Sequence, residues 1–221
     1  MKFLTAKLLT LHALGCFLSL GSAARAGQDM PALVPSAALT LPARTGSIFE
    51  AGTIELQSGA GTYWSFIPDG SVRPDLDYTL STYRLGIMLS DIHGNGWLRG
   101  NTEFLLEGFY GSVITGRGDW LAGGALQLRY NFVRPEAKWI PYFQIGAGGL
   151  WNDIYKDKSQ ELIGQSFEFN LQATLGLRRQ INSRWGVTLE GGYRHISNAD
   201  LADRNRGLDS LGFLVGLVRT F

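Results

Sequence analysis

The chain has 221 residues and a formal charge of +1, from 20 basic and 19 acidic side chains. That balance leaves no broad basic surface for nucleic acid, and the length suits one domain with a sizeable core or one closed barrel. A mean hydropathy of zero is too low for a bundle of membrane helices, and beyond the N-terminus no run of 18 apolar residues could span a bilayer as a helix.

Residues 1–26 read as a secretory signal peptide. "MKFLTAK" carries two lysines, "LLTLHALGCFLSL" is a short apolar core, and Ala24 and Ala26 have the small-x-small spacing of a cleavage site. A lipoprotein signal lipidated on Cys16 is the rival reading, but "ALGC" lacks the usual large apolar residue three before the Cys. Cleavage after Ala26 removes the single Cys, and with it any disulfide, Cys-based metal site or Cys nucleophile. Residues 27–47 show no periodicity and read as a leader or linker before a domain over 48–221.

From residue 48 onward the chain alternates apolar and polar positions. Eight strands are predicted near 48–58, 76–89, 97–112, 120–132, 138–151, 165–178, 184–195 and 209–221. In "FEFNLQATLGLRR", Phe167, Phe169, Leu171, Ala173, Leu175 and Leu177 share one parity; Glu168, Asn170, Gln172, Thr174 and Arg178 share the other. Successive side chains of a strand point to opposite faces, so each strand has an apolar and a polar side. A soluble sandwich would alternate too, but these strands are long for one. Aromatics also cluster at strand ends (Trp97, Tyr110, Trp120, Phe132, Trp139, Trp151, Trp185, Tyr193, Phe221), as in the girdles of a membrane barrel. Arg84, Glu103, Glu107, Arg129 and Glu190 fall on the polar parity and suit an interior ion-pair network. The fold class is therefore all-β: an eight-stranded antiparallel up-and-down transmembrane barrel, its lumen filled by side chains. Short turns at "SDIHGNG", "VRPEA" and "QINS" face the periplasm; longer loops at 59–75, 152–164 and 196–208 face outside. Arg219 interrupts the apolar parity of the last strand and is placed to snorkel at an interface.

The seventh strand runs into "YRHISNADLADRNRGLD", residues 193–209. His195 and Ser197 continue the lipid-facing parity of Trp185, Val187, Leu189 and Tyr193, and Asp209 shares the parity of Leu211, Phe213 and Val215 on the eighth. From Phe221 back to Asp209 is ~40 Å of strand, or roughly 30 Å along a tilted axis. The cluster then lies at the outer-leaflet interface. Polar groups on that wall are costly unless interfacial or used. A Ser hydroxyl becomes a nucleophile when a base takes its proton, and a carboxylate holds the imidazole in the required tautomer. His195, Ser197 and Asp209 are thus candidate catalytic residues, with Asp200 and Asp203 as alternative acids. A His-x-Ser pair alone is weak, and a structural interfacial His is its bland reading. Asn198 and Asn205 are turn formers or oxyanion supports. Arg204 and Arg206 are phosphate contacts or a solvated loop. His93 sits in a periplasmic turn and receives no role.

"HISNADLADRNRGLDSLG" resembles the lipid A 3-O-deacylase (PagL) family of outer-membrane barrels. The family pattern is His-x-Ser-Asn, a loop with Asn-x-Gly, and an acid opening the last strand. Here those positions are His195, Ser197, Asn198, Asn205, Gly207 and Asp209. "YRLG" at 83–86 is also similar to the family's second strand. The chain departs in carrying Asp209 where the family carries Glu. The resemblance implies an outer-membrane esterase acting at the outer leaflet on lipid A or lipopolysaccharide, with Ser197 as nucleophile, His195 as base and Asp209 as its orienter. It implies no cofactor and no metal. Outer-membrane lipid is then a partner, nucleic acid is not, and a homodimer is left open. The alternatives are a non-catalytic structural or adhesion barrel and a phospholipid esterase.

Overall fold

The computed structural model describes residues 47–66 and 76–221. The signal-peptide reading and nearly all of the leader therefore lie outside the described residues. Eight antiparallel strands follow one another: β1 (Ile54–Phe66), β2 (Asp77–Met88), β3 (Gly100–Thr115), β4 (Trp120–Phe132), β5 (Trp139–Asn152), β6 (Phe167–Gln180), β7 (Trp185–Ser197) and β8 (Leu208–Thr220). Each pairs with its sequence neighbours, and β1 pairs with β8 to close the barrel.

The alternation read from the sequence is the inside–outside pattern of the wall. On β7, Gly186, Thr188, Glu190, Gly192, Arg194 and Ile196 are buried inside, while Trp185, Leu189 and Gly191 are exposed outside. Leu211, Phe213, Val215 and Leu217 form the same outward row on β8. This exposed apolar row is the surface that a bilayer covers. Arg219 ends it with its guanidinium 5.5 Å over the Trp185 ring and 4.8 Å over Phe221, the stacking expected of a snorkelling cation in an aromatic girdle.

The interior is filled. Arg84 binds Glu107 at 2.7 Å and Glu190 at 2.6 Å, and Arg129 meets Glu103 at 3.3 Å. Two further pairs, Arg178–Glu55 and Arg194–Glu107, both at 2.7 Å, extend the predicted network. Apolar clusters cap it at either end. Tyr63, Tyr78, Leu80, Phe109, Leu121, Ile196 and Leu214 form one; Phe49, Met88, Val133 and Ile140 form the other.

Two boundaries differ from the sequence reading. The first strand does not cover 48–58 with a loop from 59; it begins at Ile54 and runs on to Phe66. "GAG" at 59–61 carries no side chains able to display an alternation, so it reads as loop. Its smallness is structural: a Cβ on Gly61 would sit 1.8 Å from the Phe213 carbonyl oxygen of β8. The third strand starts at Gly100 rather than 97, because Gly96–Leu98 is a 3-10 turn. The connection between β3 and β4 is only four residues, 116–119. It is pinned by Asp153, whose carboxylate accepts the Asp119 and Trp120 backbone N–H groups. Slight burial raises the pKa of this carboxyl, but those donors outweigh it and hold it below its ordinary value.

Candidate active site

β7 and β8 are in register at His195 and Asp209, so the two side chains stand side by side on the outer face. His195 Nδ1 lies 2.9 Å from Asp209 Oδ1, and Nε2 lies 3.1 Å from Ser197 Oγ. Residues two apart on a strand share a face, which is how Ser197 reaches the ring. The His195 side chain is 31% exposed and Asp209 14%, so the acid is the more sheltered of the two. The surroundings are apolar: Phe169 and Leu171 of β6 stand opposite Ser197 and His195, and Phe66 of β1 stands opposite Asp209. The three groups named from the sequence therefore form one hydrogen-bonded row, set in a lipid-facing wall.

That row has the order of a nucleophile, a base and an orienting acid. With Nδ1–H donated to Asp209, Nε2 is left to accept the Ser197 hydroxyl proton. The other candidate acids are elsewhere engaged or exposed. Asp200 accepts the Asn205 amide at 2.7 Å, and Asp203 is exposed in the loop.

The loop between the strands, 198–207, is built by its amides. Asn198 continues the inward parity and is fully buried. Its backbone N–H donates to Asn205 Oδ1 at 2.8 Å, and its side-chain amide donates to the Arg204 carbonyl at 2.9 Å. Asn198 thus faces into the barrel, away from the Ser197 face, where it braces the turn and its side chain also hydrogen-bonds Glu168. Asn205 braces it from the other side. Ala199 and Asp200 take left-handed φ angles of 53° and 62° to make the reversal. The Arg204 guanidinium donates to the Tyr155, Asp157 and Gln160 carbonyls at 2.8–2.9 Å. The Arg206 and Gly207 N–H groups donate to the Glu161 and Leu162 carbonyls. Together these bonds seal the β5–β6 loop onto the β7–β8 loop. Sequence reading missed Tyr193, whose hydroxyl donates to Asp209 Oδ1; its place at a strand end marked it as a girdle aromatic.

The profile of the lipid A 3-O-deacylase (PagL) family matches residues 78–218, well over half of the chain. Among solved structures, the outer membrane enzyme PagL superposes with a TM-score of 0.50 at 20% identity, covering 73% of this chain and 97% of that one. Neisserial surface protein A superposes with a TM-score of 0.48 at 13% identity, covering 76% and 97%. OprG from Pseudomonas aeruginosa gives 0.42 at 14%, covering 78% and 97%. No curated protein matches the sequence. The family match takes in five whole strands, β3 to β7, and most of β2 and β8, together with the loop that joins β7 to β8. On that extent, this outer-membrane barrel belongs to the lipid A 3-O-deacylase (PagL) family.

Proposed function

We propose that the chain is an outer-membrane esterase that removes the ester-linked 3-hydroxyacyl chain from position 3 of lipid A. The observation that carries the reading is the row Ser197–His195–Asp209 on the lipid-facing wall, at the end of the barrel bearing the β5–β6 and β7–β8 loops. His195 Nε2 takes the Ser197 proton as Oγ attacks the ester carbonyl. The imidazolium so formed is stabilised by Asp209 and returns its proton to the leaving sugar hydroxyl. Water, activated by the same imidazole, then cleaves the acyl-enzyme and releases a 3-hydroxy fatty acid. Asn198 shapes the turn behind Ser197, and the Asn205 amide, held by Asp200 in the resting site, serves as oxyanion donor when it turns to the substrate. An acyl chain need not leave the bilayer to reach this wall, which suits a site facing lipid rather than the lumen.

The test is mass spectrometry of lipid products after incubating the folded barrel in detergent with lipid A, and separately with diacyl phospholipid. The expected result is loss of one ester-linked 3-hydroxyacyl chain from lipid A and intact phospholipid. Cleavage of phospholipid alone would replace this reading with a phospholipase. Two intact lipids would leave a structural barrel.

Gly207 offers a finer test of the geometry. Its φ of +77° is left-handed, and a Cβ there would lie 3.0 Å from His195 Cε1. Gly207→Ala both strains the backbone, by about 1–2 kcal/mol, and pushes the imidazole off its line to Ser197. The expected loss of kcat is roughly ten- to a hundredfold, with the barrel still folded by heat-dependent gel mobility. An unchanged kcat would show that the ring has room to spare.

A further inference from the structure

Asp209 has two donors on one oxygen. Tyr193 stands two residues before His195 on the outward face of β7, level with Leu211 of β8. Its hydroxyl donates to Asp209 Oδ1, the atom that also lies 2.9 Å from His195 Nδ1. A girdle position accounts for an aromatic ring here but not for the direction of its phenol. An interfacial Tyr ordinarily turns its O–H to headgroups and water. This one turns to a carboxylate on the neighbouring strand, and its ring is braced by Phe66 of β1 at a centroid distance of 6.4 Å.

We infer that Tyr193 is a positioning residue of the hydrolytic site, fixing the Asp209 carboxylate against His195 and moderating its pull on the imidazolium. The inference rests on the Ser197–His195–Asp209 reading above. Orientation is the first part of the argument. A carboxylate that holds one donor can swing about its two side-chain torsions, and a second donor from a different direction removes that freedom. Electrostatics is the second. The strands facing the pair contribute Phe66 from β1, Phe169 and Leu171 from β6 and Leu211 from β8, all apolar. Asp200 and Arg206 belong to the adjoining loop, where Asp200 is taken up by Asn205. The Asp209 side chain is only 14% exposed, so the phenol supplies the hydrogen bond that water would supply elsewhere. A carboxylate whose charge is shared with Tyr193 holds the imidazolium less tightly. His195 must surrender its proton to the leaving alcohol, so that moderation favours turnover.

The experiment is steady-state kinetics with lipid A micelles on the folded barrel and on Tyr193→Phe, Asp209→Ala, the double variant and Ser197→Ala. The expected result is that Tyr193→Phe lowers kcat about tenfold with KM unchanged. In the Asp209→Ala background, Tyr193→Phe has no further effect, since the atom it acts through is gone. Losses that multiply in the double variant, a change confined to KM, or wild-type kinetics in Tyr193→Phe would each overturn the inference. If the wild type is as inactive as Ser197→Ala, the hydrolase reading itself falls, and this inference with it.

Discussion

Ser197→Ala is expected to abolish ester hydrolysis, lowering kcat by a thousandfold or more on the order seen when a triad nucleophile is removed, and to leave the barrel folded. The two halves of this expectation have separate causes. Ser197 is the last residue of β7 and its Oγ has the His195 ring as partner, 3.1 Å away. Removing the hydroxyl therefore forfeits one partly exposed hydrogen bond, about 1 kcal/mol of stability, against the backbone ladder of two neighbouring strands. Catalysis has no such reserve, because the hydroxyl that His195 Nε2 faces is that of Ser197. His195→Ala is expected to cost as much as Ser197→Ala, and the double variant no more than either, because the two act as one unit. Asp209→Ala costs less, since a neutral imidazole without its orienter still samples the productive tautomer. Product release measured by mass spectrometry, with folding checked by gel mobility, decides the matter. Residual hydrolysis by Ser197→Ala near the wild-type rate would mean that the nucleophile is another group and the row is structural.

The membrane barrel and the outline of this site were legible in the sequence for one reason, the two-residue period of a strand. Parity alone put His195, Ser197 and Asp209 on the same side of the wall as Leu189 and Phe213, and put Glu107 and Arg129 on the other. It failed where parity has nothing to mark. Gly59, Ala60 and Gly61 belong to β1, but three small residues in a row display no alternation. Trp97 and Leu98 are apolar enough for a strand yet form a turn, because an interfacial Trp is served as well by a turn as by a strand. The loop residues were harder still. Asn198 joins Ser197 through the family's His-x-Ser-Asn pattern, although the parity rule sends it inward, where it is buried. Arg204 looked like a free cation because its three carbonyl partners lie more than forty residues earlier in the chain. Tyr193 was visible as an aromatic at a strand end, but its bond to Asp209 depends on a diagonal between strands that only the register supplies.

Glu107→Leu is expected to destabilise the barrel by roughly 3–5 kcal/mol, the range for removing one partner of a buried ion pair. Glu107 sits on β3 and accepts hydrogen bonds from Arg84 of β2 at 2.7 Å, Arg194 of β7 at 2.7 Å and Gln172 of β6 at 3.1 Å. One carboxylate therefore ties four strands together across the lumen. Its loss affects the two arginines unequally. Arg84 keeps Glu190, at 2.6 and 2.9 Å. Arg194 keeps the faces of Phe109 and Tyr63, at 4.6 and 5.5 Å, and the neutral Tyr63 hydroxyl, which cannot replace a carboxylate for a fully buried cation. Glu107→Gln preserves the shape and one acceptor oxygen and so costs less, about 1–3 kcal/mol. The effect also reaches the outer wall. Arg194 lies between Tyr193 and His195 on β7, so releasing it from the interior loosens the strand that carries the site. Urea unfolding of the refolded barrel, followed by tryptophan fluorescence, measures the stability. Deacylation measured where both proteins remain folded separates a shifted β7 from simple unfolding. Wild-type stability in Glu107→Leu would mean that Arg194 finds water or another acceptor in the lumen, and that the backbone ladder, not the ion-pair network, holds these strands in register.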